Sequence, residues 1–207
     1  MSNALFPIFL KLRDRRCVVV GGGAIAEQKL KSLLETGATV IVVSPNATAT
    51  IQQYAREGVV DWKKKIFEPS DLDGALLVIS ATASREVDEL VYRESERRGA
   101  LCNAVDDPPR CHFYYPSIIR RGDLQIAIST NGKSPALAQR LRRELEETFD
   151  SSYEGWLEWL GKVRELYFNS PIESGTRVRS LHHIASRTVY ERFRESRAAR
   201  LKEASHG

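Results

Sequence analysis

Three consecutive glycines and a pair of aspartates are the residues of this chain whose types and spacing could do chemistry. Gly21, Gly22 and Gly23 follow the apolar run Cys17–Val20, and Ala26 stands shortly after them. Gly21 permits a sharp turn out of a strand. Gly23 has no Cβ, so a charged group can approach the backbone there. Ala26 lets a following helix pack close to the strand. The apolar spacing turns helical from Ile25 through Leu30, Leu33 and Leu34, and Gly37 ends it before a second apolar run, Val40–Val43. Strand, glycine turn, helix and strand in that order read G-x-G-x-x-A. The pattern fits a dinucleotide-binding unit, in which the free amides and positive end of the helix N-terminus meet a pyrophosphate. A glycine turn without a ligand is the alternative.

The aspartates lie in Asp106-Asp107-Pro108-Pro109, directly after the apolar run Leu101–Val105. Ligands of open α/β sheets sit beyond the carboxyl ends of the strands, so Asp106 falls where a reacting group is expected. Asp-Asp-Pro-Pro is also good turn chemistry. Two further strand ends supply Ser44-Pro45-Asn46 and Thr82. An acidic residue often bonds the ribose 2′-OH at the first of these places. Here Ser44 replaces it with no arginine beside it, which favours NAD over NADP and leaves Asn46 and the nearby backbone for the ribose.

The elements that must position these residues alternate. Phe6–Leu12 reads as an extended segment docking on the sheet, Ile51–Glu57 as a short helix, and Val59–Phe67 as an edge strand whose lysines 63–65 form a solvated edge. Leu76–Ala81 is a continuous apolar run suited to a central parallel strand. Ser84 caps the next helix, whose apolar face is Val87, Leu90 and Val91 and which Gly99 closes. This alternation predicts a doubly wound parallel sheet. The pattern changes near Pro108–Pro116. Beyond it come a strand at Leu124–Ser129, a helix from Ser134-Pro135, an amphipathic helix at Tyr153–Phe168 and a charged helix or helical pair at Ser180–Leu201.

The chain of 207 residues suffices for one full domain and a smaller one. Its net charge of +4 suits an acidic small molecule and is too small to argue for nucleic acid. No apolar run is long enough for a bilayer, and no basic region precedes the N-terminal apolar patch, so neither a membrane span nor a signal peptide is expected. Cys17, Cys102 and Cys111 lack metal-ligand spacing, which makes reduced thiols in the cytoplasm the default. His112, His182, His183 and His206 do not pair at ligand spacing either, and no resident metal is expected. Of the four, His112 follows Asp106 closely enough to share its cleft.

The stretches FPIFLKLRDRRCVVVGGGAIAEQKL, NAVDDP, FYYPSIIRRGDLQIAIST and NGKSPALAQRLRRELE stand in order over the first three quarters of the chain. On them the chain resembles the precorrin-2 dehydrogenase family, which also forms the dehydrogenase/ferrochelatase part of siroheme synthase. The resemblance implies a Rossmann domain over residues 1–112, a small α+β dimerisation domain over 113–149 and a helical domain over 150–207, assembled as a homodimer. It implies NAD-dependent oxidation of precorrin-2, a tetrapyrrole, to sirohydrochlorin; some members also insert ferrous iron. It implies that the glycine turn with Ala24 and Ile25 holds the pyrophosphate, that Ser44, Pro45 and Asn46 lie near the adenosine ribose, and that Asp106 is the essential aspartate. A polycarboxylate substrate favours basic neighbours, with Arg120, Arg121, Lys133 and Arg140 available. Thr130 stands where some members carry a phosphorylated serine. No methyltransferase segment follows the tail, so another protein is expected to supply precorrin-2. A non-catalytic NAD(H)-sensing module is the competing reading. A DNA-binding sensor should carry a basic winged-helix segment, usually ahead of the nucleotide fold.

Overall fold

A computed structural model describes residues 4–204; His206 lies outside them. In the first part of the chain β1 (Arg16–Val20), β2 (Thr39–Val43), β3 (Asp61–Lys63), β4 (Leu77–Ser80) and β5 (Leu101–Ala104) alternate with α1 (Ala24–Leu34), α2 (Ala49–Arg56) and α3 (Arg85–Arg98). The five strands form one sheet in the order β3-β2-β1-β4-β5, and every pairing is parallel. This is the doubly wound arrangement that the alternation predicts.

The central strands are apolar at every position because both faces are covered. Cys17, Val19, Val40, Val42, Leu77 and Ile79 point into one core with Ala26, Leu30 and Leu33 of α1 and Ile51 of α2. Val18, Val20, Ile41, Val43, Val78 and Cys102 point the other way, onto Val91 of α3 and Leu72. Ala26 is fully buried, as close packing of α1 on the sheet requires. The Ser84 hydroxyl accepts from the Val87 amide, and Gly99 ends α3 in the left-handed conformation.

Three local expectations give way to tertiary contacts. Only Asp61–Lys63 of the 59–67 segment pairs as a strand. The lysine run is not simply solvated, since Lys63 and Lys65 lie 3.6 and 3.1 Å from the buried Asp71 carboxylate. Asp71 also accepts from the Glu68 amide and so caps the short 3-10 turn Pro69–Leu72. Of the 6–12 segment only Leu12 enters the core, while Phe6 and Phe9 remain 84% and 69% exposed.

The chain divides into two compact units, the first closing at Tyr115 and the second opening at Pro116. The second contains the antiparallel hairpin β6 (Ser117–Arg121) and β7 (Leu124–Ile128), turned at Gly122 with φ +56°. The half-polar β6 lacks an unbroken apolar run and escapes a reading by hydrophobicity alone. Helices α4 (Pro135–Thr148), α5 (Ser152–Phe168), α6 (Ser174–Ile184) and α7 (Arg187–Ala204) follow. The hairpin and the terminal helices both fall in this unit. Its aromatic centre is Trp156 of α5, with ring centroids 5.1 Å from Trp159, 5.7 Å from Tyr190 and 5.2 Å from Phe193. The charged tail is a helical pair that begins earlier than Ser180. The Glu173 carboxylate accepts from the Gly175 and Thr176 amides and starts α6 there.

Candidate functional site

The sheet changes direction between β1 and β4, whose carboxyl ends diverge toward connections on opposite faces. Such a switch point opens a crevice. Here it is a cleft of about 640 Å³, lined by Gly21, Gly22, Gly23, Ala24 and Ile25, by Ser44, Pro45 and Asn46, and by Thr82. Every residue that the sequence assigns to a cofactor thus lines one cleft.

The three glycines serve different ends. Gly21 adopts φ +114°, and a Cβ on it would strike the Ala81 carbonyl of β4's end. Gly22 brings two loops together: its carbonyl accepts from the Thr48 amide at 2.9 Å, and a Cβ on it would strike the Asn46 carbonyl and Ser44 hydroxyl. Gly23 is the N-cap of α1 in an extended conformation, and a Cβ on it would meet nothing within 4 Å. No side chain caps α1, and the first amide bonded back to the Gly23 carbonyl is that of Glu27, at 3.0 Å. The amides of Ala24, Ile25 and Ala26 are therefore available at the positive end of the helix, beside open space. That combination fits a pyrophosphate.

The loop after β2 is held by its own atoms. The Ser44 hydroxyl donates to the Asn46 carbonyl, and the Trp62 indole N–H donates to the Ser44 carbonyl at 3.1 Å. Ser44 is buried, so its hydroxyl hydrogen is spent on shaping the loop. On the other side of the cleft the Asp88 carboxylate accepts from Ser80 at 2.6 Å and from Thr82 at 2.8 Å, which fixes the Thr82 side chain. The sequence reading misses the apolar wall: Ile66, Phe67, Ala83 and Val87 also line the cleft. Ile66 is 74% exposed, a large apolar side chain facing solvent directly after the lysine run 63–65. Its position just past the carboxyl end of β3 is the signal that could have found it.

Asp106 does not line this cleft. It sits beyond β5, one strand further along the same carboxyl edge. Its backbone is left-handed, φ +59°, a conformation that Asp tolerates better than most residues. The loop that presents it is tied down on all sides. Buried Asn103 donates to the Phe113 carbonyl at 2.8 Å. The Cys102 amide donates to His112 Nδ1 at 2.9 Å, and the His112 ring stacks on Tyr92 at 5.1 Å. His112 therefore shapes the loop and does not turn to the cleft. Asp107 is tied to Arg110 at 2.5 Å, and Arg110 in turn reaches Glu89. Asp106 remains exposed, and no described side chain donates a hydrogen bond to its carboxylate. Among the described residues no group of three or more His, Cys, Asp or Glu side chains could hold a metal ion. No helix among them is long and apolar enough to cross a membrane.

A parallel sheet with this order, a switch-point cleft and a bare, uncapped helix start define a dinucleotide-binding α/β protein of the Rossmann type. Comparison with known proteins agrees. Residues 8–117 match a family model described as putative NAD(P)-binding, and residues 121–148 match one described as the sirohaem biosynthesis protein central segment. The chain belongs to this NAD(P)-binding family, in the form that carries the sirohaem-biosynthesis segment. It is 43% identical over 159 residues to a siroheme synthase of Methylobacillus flagellatus, a match covering 77% of the chain and 34% of the relative. It is 46% identical over 140 residues to siroheme synthase 1 of Aeromonas salmonicida, covering 68% of the chain and 30% of the relative. The chain thus spans about a third of these relatives. Among solved structures, SirC, a precorrin-2 dehydrogenase, superposes with a TM-score of 0.80 at 28% identity, covering 90% of this chain and 92% of that one.

Proposed function

We propose that the protein oxidises precorrin-2 to sirohydrochlorin with NAD as the oxidant. The observation that carries this is the exposed, left-handed Asp106, presented by a pinned loop on the same sheet edge as the dinucleotide cleft. The likeness to siroheme synthases and to SirC, a precorrin-2 dehydrogenase, supports the choice of substrate.

The amides of Ala24 and Ile25 at the start of α1, with Gly23, receive the pyrophosphate. Asn46 and the backbone of Ser44 and Pro45 lie on the ribose side, and Ile66 and Val87 offer an apolar wall for the adenine. Bound there, NAD supplies the hydride acceptor. Oxidation of the macrocycle removes one hydride and one proton, and Asp106 takes the proton as general base. Asp107 does not serve, because Arg110 holds it. The absence of an arginine beside Ser44 favours NAD over NADP. Residues 113–149 carry the proposed homodimer contact. Ferrous iron, where inserted, is a substrate whose ligands are the macrocycle nitrogens.

An anaerobic assay tests the reading. Precorrin-2 and NAD should give NADH and sirohydrochlorin in equal amounts, and subsequent ferrous iron reports any siroheme formed. NAD binding without NADH formation would favour the sensing module instead.

A further inference from the structure

Lys29 lies on α1, past the uncapped first turn that faces the cleft. Its ammonium sits 3.8 Å from the centre of the Tyr115 ring. An aromatic face stabilises a cation through its quadrupole but accepts no conventional hydrogen bond, so the remaining N–H groups still need acceptors. The same helix shows the ordinary alternative, for Lys31 reaches Glu27 at 2.7 Å. Lys29 is half-buried, and no described carboxylate pairs with it. Burial pulls its proton affinity down, and the nearby Asp106 carboxylate opposes that fall. The Tyr115 hydroxyl gives no anionic partner, since burial pushes its pKa up to about 12. The ring is itself anchored on the α1 side of the sheet core and lies 5.7 Å from Phe113. A partly desolvated cation is therefore held in a fixed place, on a ring at the end of the pinned loop that begins at Asp106, with donors to spare.

We infer that Lys29, braced on the Tyr115 ring, receives one carboxylate of the polycarboxylate substrate and so fixes that edge of the macrocycle against Asp106. This deepens the reading of Asp106 as the base and rests on it for the identity of the substrate. A substrate carboxylate satisfies the unused donors. Proton removal at Asp106 demands that the macrocycle be fixed nearby, and a rigid polycarboxylate ring anchored at one rim group is held in register.

Titration of the full chain with sirohydrochlorin, followed by the absorbance of the macrocycle, tests this in wild type, Lys29→Met and Lys29→Arg. Loss of one charge-assisted contact should weaken binding about tenfold or more in Lys29→Met, while Lys29→Arg recovers most of it. In turnover, KM for precorrin-2 should rise more than kcat falls. The Kd for NAD should stay within about twofold, which a collapse of α1 would not allow. Macrocycle affinity within about twofold of wild type in Lys29→Met would overturn the inference. So would a parallel loss of NAD affinity, or failure of the wild type to bind sirohydrochlorin. Lys29→Gln replaces Lys29→Met if the latter does not fold. NADH formation by the wild type judges the dehydrogenase reading separately. Turnover with unchanged macrocycle affinity in Lys29→Met sinks Lys29 alone; no turnover sinks that reading while the titration still decides Lys29.

Discussion

Alanine at Gly23 should separate ligand binding from folding. The backbone there is extended, at φ −81° and ψ −175°, and the added methyl would enter space with no protein atom within 4 Å. Alanine is a poorer N-cap than glycine by roughly 0.5–1 kcal/mol, but it also restricts the unfolded chain by about 0.4–1 kcal/mol. These terms nearly cancel, so thermal stability should change by less than about 1 kcal/mol, or roughly 2–4 °C in Tm for a chain of this length. The methyl would occupy the place where the pyrophosphate meets the helix amides. Losing even one charge-assisted bond there costs about 1.5–3 kcal/mol, which is roughly a 10- to 150-fold rise in the Kd for NAD. Gly22→Ala is the contrasting variant. Its methyl would strike the Asn46 carbonyl and the Ser44 hydroxyl, and such overpacking costs about 1–3 kcal/mol of stability. Calorimetric titration with NAD and thermal melts of both proteins supply the comparison. Unchanged NAD affinity in Gly23→Ala would refute the placement of the pyrophosphate, as would a loss of stability equal to that of Gly22→Ala.

Asp106→Asn keeps the left-handed backbone, which Asn tolerates as well as Asp, and removes only the charge. It should bind NAD normally and lose about 100-fold or more in NADH formation from precorrin-2; wild-type turnover would remove Asp106 from the mechanism. The alkaline limb of stability follows from buried acids. Burial pushes the Cys17 thiol up to about 11 and the Cys102 thiol up to about 12, each from 9.0. The folded state therefore holds protons that the unfolded chain releases from about pH 9 upward, so unfolding free energy should fall as pH rises from 9 toward 12. Urea midpoints that are flat across that range would contradict the burial of these thiols. Light scattering at micromolar concentration should give the mass of a dimer, and a monomer would count against the contact proposed for residues 113–149.

The βαβ unit was legible because its signals are local. A glycine at each required place, Ala26 against the strand and the apolar spacing of α1 all lie within one short stretch, where sequence distance and spatial distance nearly coincide. The same holds for the Ser84 cap and the Gly99 stop of α3. β6 was not legible, since a half-exposed hairpin strand carries Arg120 and Arg121 and too few apolar residues. The lysine run looked like solvent-facing charge because its partner, Asp71, comes from the turn that follows the strand.

By itself the sequence determined the kind of site: a bare turn into a helix start, a strand end with no ribose acid, and a pair of aspartates at another strand end. Tertiary structure alone decided which groups remain available. Arg110 removes Asp107 from contention, Tyr92 and the Cys102 amide engage His112, and the Asn46 loop, not a ligand, is what forbids a side chain at Gly22. The reason is physical. A motif records what a residue can donate, accept or make room for, whereas the hydrogen bonds and contacts that use up those capacities come from segments distant in the chain.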